Sequence, residues 1–229
     1  MKKLVLSGLF AMFAAGTASA EILYSQSFED DSYLGGKYYD TADVTTFHWL
    51  TNNAGEAAVN GAGFNAWFSP YDPAGVGLGD GDFVGVTNYT GNTGGMFDGN
   101  NAYQMSDTDG IMGLDIDDFG AGVNVSFALF LANTGYEDAD YLTVMYGDEV
   151  LLQLGDGADG GLAMETAAGT WMFIEATNVT GSLSIAFSSN SASEAVFIDA
   201  INIWTGDVPA PGALAILGLA GIASRRRRK

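Results

Sequence analysis

The chain contains no cysteine and one histidine among its 229 residues. The lack of cysteine excludes a disulfide scaffold, zinc sites with cysteine ligands and thiol catalysis. The histidine, His48, stands in a predicted strand, and the Gly-x-Ser-x-Gly motif of a nucleophilic serine does not occur. These absences predict a protein that is not an enzyme. Glycoside hydrolysis by two carboxylates stays open as an alternative, because 28 acidic side chains are present and their spacing selects no pair.

Positive charge is almost absent from the middle of the chain. Seven of the eight basic residues lie in the first three or the last five positions, which leaves Lys37 as the single cation between Glu21 and Asp207. That segment holds all 28 carboxylates against one lysine, a formal charge of −27. Such a surface repels phosphate backbones, which excludes nucleic-acid binding by this segment. Solubility is the simplest interpretation of most of these carboxylates, and calcium binding is the alternative.

Apolar residues are nevertheless abundant, at 48% of the chain with 12% aromatic, which is enough to form a core. Short runs with a period of two predict β-strands, and VNVSFALFL at 123–131 is the clearest of them. Further strands are predicted at 22–28, 45–49, 83–87, 141–146, 150–154, 171–176, 183–187 and 195–204. Clusters of Gly, Asp and Asn separate these runs, and no helical stripe is found outside the termini. We therefore expect an all-β fold, an antiparallel β-sandwich of the jelly-roll kind with about nine to eleven strands.

The first twenty residues have the features of a secretory signal peptide. Two lysines precede an apolar run over 4–15, and small residues follow up to Ala20. Cleavage by signal peptidase after Ala20 would make Glu21 the first residue of the mature protein. We expect a signal helix within 1–20 and a β-sandwich domain over 21–207.

The last 22 residues, 208–229, carry three parts in order. Val208, Pro209, Ala210 and Pro211 lead into twelve small or apolar residues, and four arginines and a lysine end the chain. A helix of about twelve residues rises only about 18 Å, against roughly 30 Å of hydrocarbon in a bilayer. The segment is therefore marginal as a permanent anchor, and its basic end would stay cytoplasmic by the positive-inside rule.

This order of proline motif, short apolar helix and arginine cluster resembles the PEP-CTERM sorting signal. The common motif is Val-Pro-Glu-Pro, and this chain has alanine at position 210 in place of the glutamate. The resemblance implies export to the envelope of a Gram-negative-type bacterium, with transient anchoring in the inner membrane. It also implies processing near Pro211 by a membrane transpeptidase of the exosortase class, a final place at the cell surface or outside the cell, and association with extracellular polysaccharide.

Two segments of the predicted domain resemble the first and last strands of carbohydrate-binding-module-like jelly rolls. They are QSFED at 26–30 and FIDAINI at 197–203. The resemblance implies that the two terminal strands lie side by side and that acidic residues near them bind a structural Ca²⁺ ion. It nominates Glu29 and Asp199 as ligands, with Asp30 as a third. The alternative is a hydrogen-bonded Asp199 and a solvated Glu29.

Exposed aromatic rings on one face of a sandwich can stack against sugars. Trp49, Trp67 and Tyr71 are the candidates for such a glycan platform, and burial in the core is the alternative for each. The sequence thus predicts an exported, non-catalytic structural or interaction protein. A calcium-stabilised carbohydrate-binding module is the alternative function, and a polysaccharide-active enzyme is the weaker one.

Overall fold

The computed structural model describes residues 20–42, 45–71, 77–80, 83–155 and 160–206. The predicted signal helix and the predicted C-terminal helix lie outside these described residues. Residues Glu21–Thr205 form one compact unit. No helix within the described ranges is long and apolar enough to cross a membrane.

The described residues contain twelve β-strands, one α-helix and two single turns of 3-10 helix. The strands are β1 (Glu21–Gln26), β2 (His48–Trp49), β3 (Phe64–Pro70), β4 (Val84–Thr87), β5 (Ala102–Ser106), β6 (Gly110–Ile116), β7 (Ala121–Leu131), β8 (Tyr141–Tyr146), β9 (Glu149–Gly155), β10 (Trp171–Thr180), β11 (Leu183–Ser189) and β12 (Ala195–Thr205). The helix α1 spans Gly160–Ala167, and the 3-10 turns span Asp31–Tyr33 and Gly77–Asp80. The predicted all-β class is confirmed.

Two six-stranded antiparallel sheets form the sandwich. The first sheet has the order β10-β7-β12-β5-β4, with β1 also paired to β12. The second sheet has the order β2-β3-β6-β11-β8-β9. Most strands that are neighbours in a sheet are not consecutive in the chain. The chain therefore crosses repeatedly from one sheet to the other, as in Greek-key and jelly-roll folds.

β12 is an interior strand of the first sheet. One edge of β12 pairs with β7, while the other edge pairs with β5 over Ala195–Ile198 and with β1 over Ile201–Thr205. The register shifts just after Asp199, where Ala200 adopts a positive φ of 53°. The first and last strands therefore lie side by side, as the resemblance to carbohydrate-binding modules implies.

A single large hydrophobic core lies between the sheets. Every second side chain of β7 enters this core, as the sequence pattern predicts. These side chains are Val123, Val125, Phe127, Leu129 and Leu131. The second sheet contributes Phe68, Leu114 and Ile185, which are fully buried in the same core. The alternation of apolar residues therefore fixes which face of each strand is turned inward.

Three strands and the helix were not predicted from the sequence. β5 is buried along its whole length and β6 along most of it, so neither shows a clear alternation of apolar and polar residues. β3 alternates, but it follows a glycine-rich segment and ends at Pro70. The helix α1 has only eight residues and begins with two glycines, so it carries no recognisable start signal.

Replacing Phe127 tests the inward orientation of β7. We expect Phe127→Ala to lower the free energy of unfolding by about 3–5 kcal/mol, because a fully buried ring is lost and a cavity remains. Phe173→Ala on the neighbouring strand β10 is the matched control, since that ring is 56% exposed. Its cost should stay below about 1.5 kcal/mol, the scale of a ring pair. Urea denaturation of the full-length protein measures both, and equal losses would contradict the orientation.

Candidate functional site

An exposed aromatic patch lies on the second sheet, formed by Phe47, Trp49 and Trp67. Trp49 and Trp67 are directly opposite each other in the β2–β3 pair. The ring of Phe47 lies 5.6 Å from that of Trp67 and 6.1 Å from that of Trp49, measured between centroids. Phe47 and Trp49 are 55% and 54% exposed, which is unusual for large apolar rings. We call these three residues the aromatic patch; Phe47 was not among the residues predicted from the sequence.

Trp67 lies against the sheet itself because its cross-strand partner is a glycine. Gly113 of β6 faces Trp67, and a Cβ atom at Gly113 would come within 1.9 Å of the indole Cε2. The indole Nε1 donates a hydrogen bond to Asp115 Oδ1 at 3.1 Å, and Ser184 Oγ donates to the same oxygen at 2.6 Å. The indole ring of Trp67 therefore rests against the backbone at Gly113, and its Nε1 atom is bonded to the Asp115 carboxylate. The orientation of the ring is thus fixed before any ligand binds.

An open groove of about 500 Å³ begins at Trp49. Six of the nine residues that line it are polar; the full lining is Trp49, Leu50, Asn60, Asn65, Asp115, Ile116, Asp117, Asp118 and Ser182. Amide, hydroxyl and carboxylate groups next to an exposed indole are the combination that binds sugar rings: the indole stacks on the apolar face, and the polar groups bond to hydroxyls.

Tyr71, the third predicted platform residue, lies apart from the aromatic patch and the groove. Its hydroxyl is 2.5 Å from Ser188 Oγ on β11. Burial is the main cause that raises the pKa of the Tyr71 hydroxyl. The structure thus brings together two of the three predicted platform residues.

The loop Phe97–Asn101 connects Glu29 with Asp199. Glu29 Oε1 accepts hydrogen bonds from the backbone N–H groups of Asn100 at 2.9 Å and Asn101 at 2.8 Å. Asp199 Oδ2 accepts from the N–H of Asp98 at 2.8 Å. Gly99 between them has a φ of 73°, and a Cβ there would come within 2.3 Å of the Glu29 carboxyl carbon. Two of the predicted calcium ligands are therefore anchored on one five-residue loop.

Asp199 is fully buried, and its other oxygen accepts from the N–H of Ala200 at 2.6 Å. Burial raises the pKa of its carboxyl from 3.8 to about 7, in spite of hydrogen bonds that act in the opposite direction. A buried carboxylate of this kind gains from a nearby cation. Asp30 differs: it is exposed, and its Oδ1 accepts from the N–H of Ser32 at 2.9 Å as the cap of a 3-10 turn. Glu29 and Asp199 thus bond to the same loop, whereas the Asp30 carboxylate is engaged in its own turn. Calcium binding by these residues stays a prediction.

His48 is held between two oxygen acceptors. Its Nε2 lies 2.8 Å from Asp40 Oδ2 and its Nδ1 lies 2.7 Å from the carbonyl oxygen of Thr46. Both ring nitrogens are therefore engaged by groups that fix the orientation of the ring.

The processing residues of the sequence prediction are described only in part. Ala20 directly precedes β1. Val208, Pro209, Ala210 and Pro211 lie outside the described residues.

A second group of exposed rings lies on the first sheet and was also missed from the sequence. Phe97 stacks on Phe173 with centroids 6.0 Å apart, and it contacts Trp171 at 5.7 Å. They resemble the first patch in exposure, and the indole Nε1 of Trp171 donates a hydrogen bond to the carbonyl oxygen of Gly95 at 3.2 Å.

Solved structures of similar shape include carbohydrate-binding modules and adhesin domains. The K1 cleaved adhesin domain of Lys-gingipain from Porphyromonas gingivalis W83 is 13% identical, with 83% of this chain and 99% of that chain covered and a TM-score of 0.43. The xylan-binding domain CBM22-1 of Paenibacillus barcinonensis Xyn10C is 14% identical over 83% and 98%, with a TM-score of 0.32. The carbohydrate-binding module CBM36 in complex with calcium and xylotriose is 13% identical over 52% and 87%, with a TM-score of 0.29. No model of a known protein family and no curated protein sequence matches the chain.

The buried carboxyl of Asp199 predicts a pH-dependent stability. Because its folded-state pKa lies near 7 and its ordinary value is 3.8, the folded protein holds a proton that the unfolded chain releases between these values. The free energy of unfolding should therefore fall as pH rises from about 4 to about 7. In EDTA, we expect the melting temperature of the full-length protein to drop by roughly 5–10 °C over this range.

Asp199→Asn should make the melting temperature depend less on pH. Part of the dependence should remain, because burial also raises the pKa values of Asp140 and Glu194. Differential scanning calorimetry of both proteins at several pH values measures the difference. Superimposable pH curves for the two proteins would show that Asp199 carries no such proton.

Proposed function

We propose that the protein is an exported, non-catalytic module that binds a polysaccharide in the groove beside the aromatic patch. The observation that supports this most is the fixed indole of Trp67 next to Phe47 and opposite the exposed Trp49, which itself lines a groove with amide and carboxylate side chains. Exposed rings of this size are costly in water unless a ligand covers them. A sugar chain would cover Trp49 and place its hydroxyls over the groove.

The charge of the groove selects the kind of glycan. Asp115, Asp117 and Asp118 line it, and no lysine or arginine of the described residues does. Carboxylates accept hydrogen bonds from sugar hydroxyls, but they repel uronic acids and sulfated sugars at short range. We therefore propose a neutral polysaccharide as the ligand.

The hydrogen bonds of the groove carboxylates favour binding of the glycan without hydrolysis. Asp115 Oδ1 is engaged by Trp67 and Ser184, and Asp118 Oδ1 accepts from the N–H of Gly120 at 2.7 Å. Two of the three groove carboxylates thus hold the structure around the groove. A glycan that is recovered at its original length after prolonged incubation with the protein would agree with this, whereas shortened chains would favour the enzyme alternative.

Export and sorting form the second part of the proposal, and the sequence supports them. The apolar N-terminal segment ending at Ala20 and the Val208–Pro211 motif with its arginine cluster are the signals. Signal peptidase and an exosortase-type transpeptidase are the proposed partners, and the cell surface or the extracellular matrix is the proposed location. Calcium at Glu29 and Asp199 would stabilise the exported domain.

Substitutions in the aromatic patch test the glycan site. We expect Trp49→Ala to weaken retention on a neutral polysaccharide by at least tenfold, because one stacking ring is worth about 0.5–1.5 kcal/mol beyond the area it buries. Phe97→Ala, which removes an exposed loop ring that stacks on Phe173 of the other sheet, is the matched control and should leave retention unchanged. Affinity electrophoresis of the full-length protein in gels with neutral or acidic polysaccharide measures both. Equal retardation of Trp49→Ala and the unchanged protein would move the site away from this groove.

The proline motif tests the sorting part separately. We expect the double variant Pro209→Ala, Pro211→Ala to accumulate in the inner-membrane fraction with its C-terminal tail uncut, because the extended segment offered for processing is lost. Immunoblots of fractionated cells, with a tag placed between residues 207 and 208, measure the change. Processing at the normal rate in this variant would contradict the assignment of the motif, without bearing on glycan binding.

A further inference from the structure

A cluster of three carboxylates lies at a different place from the predicted calcium ligands. Glu137 and Asp140 belong to the loop between β7 and β8, and Glu194 belongs to the turn between β11 and β12. One carboxylate oxygen from each residue lies within 4.8 Å of those from the other two. Asp140 and Glu194 are buried, with 0% and 1% exposure, while Glu137 is exposed. We call these three residues the acidic triad.

Local hydrogen bonds hold the acidic triad in place. The N–H of Glu137 donates to Asp140 Oδ2 at 2.6 Å, and the N–H of Asp140 donates to the carbonyl oxygen of Glu137 at 3.1 Å. Across the gap, the N–H of Asn190 donates to Glu194 Oε2 at 3.2 Å. Each buried acid thus closes the turn in which it stands by accepting a hydrogen bond from a backbone N–H group.

One oxygen of the acidic triad has no partner. Asp140 Oδ1 is inaccessible to solvent and accepts no hydrogen bond. Leaving a buried carboxylate oxygen without a partner costs free energy, and native proteins almost always pair such atoms. No ion pair joins Glu137, Asp140 or Glu194 to a lysine or arginine of the described residues. A proton, a buried water or a bound cation would compensate this oxygen, and among these only a cation also offsets the charge of the three carboxylates.

We infer that the acidic triad is a binding site for one hard divalent cation, with Ca²⁺ as the expected ion. Oxygen ligands lie 2.3–2.6 Å from Ca²⁺, so two of them on opposite sides of the ion are about 4.6–5.2 Å apart. The oxygens of the triad meet this limit, and the unpartnered Asp140 Oδ1 supplies a free ligand atom. The ligand set contains oxygen alone, which favours Ca²⁺ over zinc or copper. The exposed Glu137 leaves one side open for entry of the ion and for water ligands.

The cation would join two segments that are far apart in sequence. It would tie the loop before β8 to the turn before β12, and thereby one strand of each sheet. Burial and the neighbouring carboxylates both raise the pKa values of Asp140 and Glu194, so the metal-free triad is strained by its own negative charge at neutral pH. The inference is independent of glycan binding and of the Glu29–Asp199 pair.

Glu137→Gln is the variant that separates the cation site from proton sharing. The side chain is exposed, so the variant should fold. We expect it to bind one Ca²⁺ ion fewer than the unchanged full-length protein, or to bind that ion at least tenfold more weakly, in isothermal titration calorimetry at pH 7.5. In EDTA the variant should melt at the same or a higher temperature, because a repelling charge has been removed. The calcium-dependent rise in melting temperature should be smaller than in the unchanged protein.

Asp138→Asn is the matched control, because Asp138 is an exposed acid of the same loop and lies outside the triad. It should keep the full number of bound ions. Asp199→Asn should also keep the triad ion, whatever happens at the Glu29–Asp199 pair. Equal calcium binding by the Glu137→Gln and Asp138→Asn variants would overturn the inference. So would a Glu137→Gln variant that is stabilised equally in EDTA and in calcium, since that result means proton sharing alone.

Discussion

The burial of carboxylates without nearby positive charge is the constraint on which much of this structure depends. Between Glu21 and Asp207 the chain has 28 acids and one lysine, so an acid that enters the interior has almost no chance of an ion pair. Asp140, Glu194 and Asp199 are nevertheless buried. Backbone N–H groups satisfy most of their oxygens, and each such bond fixes a loop or a turn. The irregular segments at the strand ends are therefore organised by acids, in a protein whose core is otherwise apolar.

Because cations are so scarce, we expect divalent ions to affect the stability of this protein more than that of a protein of balanced charge. Where no lysine is near, a dissolved cation is the most readily available counter-charge for several converging carboxylates. Extracellular media contain Ca²⁺ in excess. Removing that ion would leave like charges together in a medium of low dielectric constant. The stability of a sandwich of this composition is thus expected to respond to the concentration of divalent cations around it.

The sequence predicted the fold where burial differs between the two faces of a strand, and it failed where burial is uniform. The inner residues of β7 could be recognised because small and polar side chains alternate with them. β5 could not, since both of its faces are covered and the alternation disappears. For the candidate sites, the pairing of Trp49 with Trp67 was within reach of the sequence, because both rings stand near each other in the chain. Phe47 and the acidic triad were not, because their environments depend on register and on loops that meet only after folding.

The pairing of the first strand with the last has a mechanical consequence. Glu21 stands opposite Thr205 in the β1–β12 ladder, so the segments before and after the sandwich start from neighbouring positions. In a protein attached through residues beyond Thr205, a pulling force would enter the fold along β12. That strand is hydrogen-bonded along both edges, to β7 on one side and to β5 and β1 on the other. Load applied along the strand would have to shear many hydrogen bonds at once instead of unzipping them one by one.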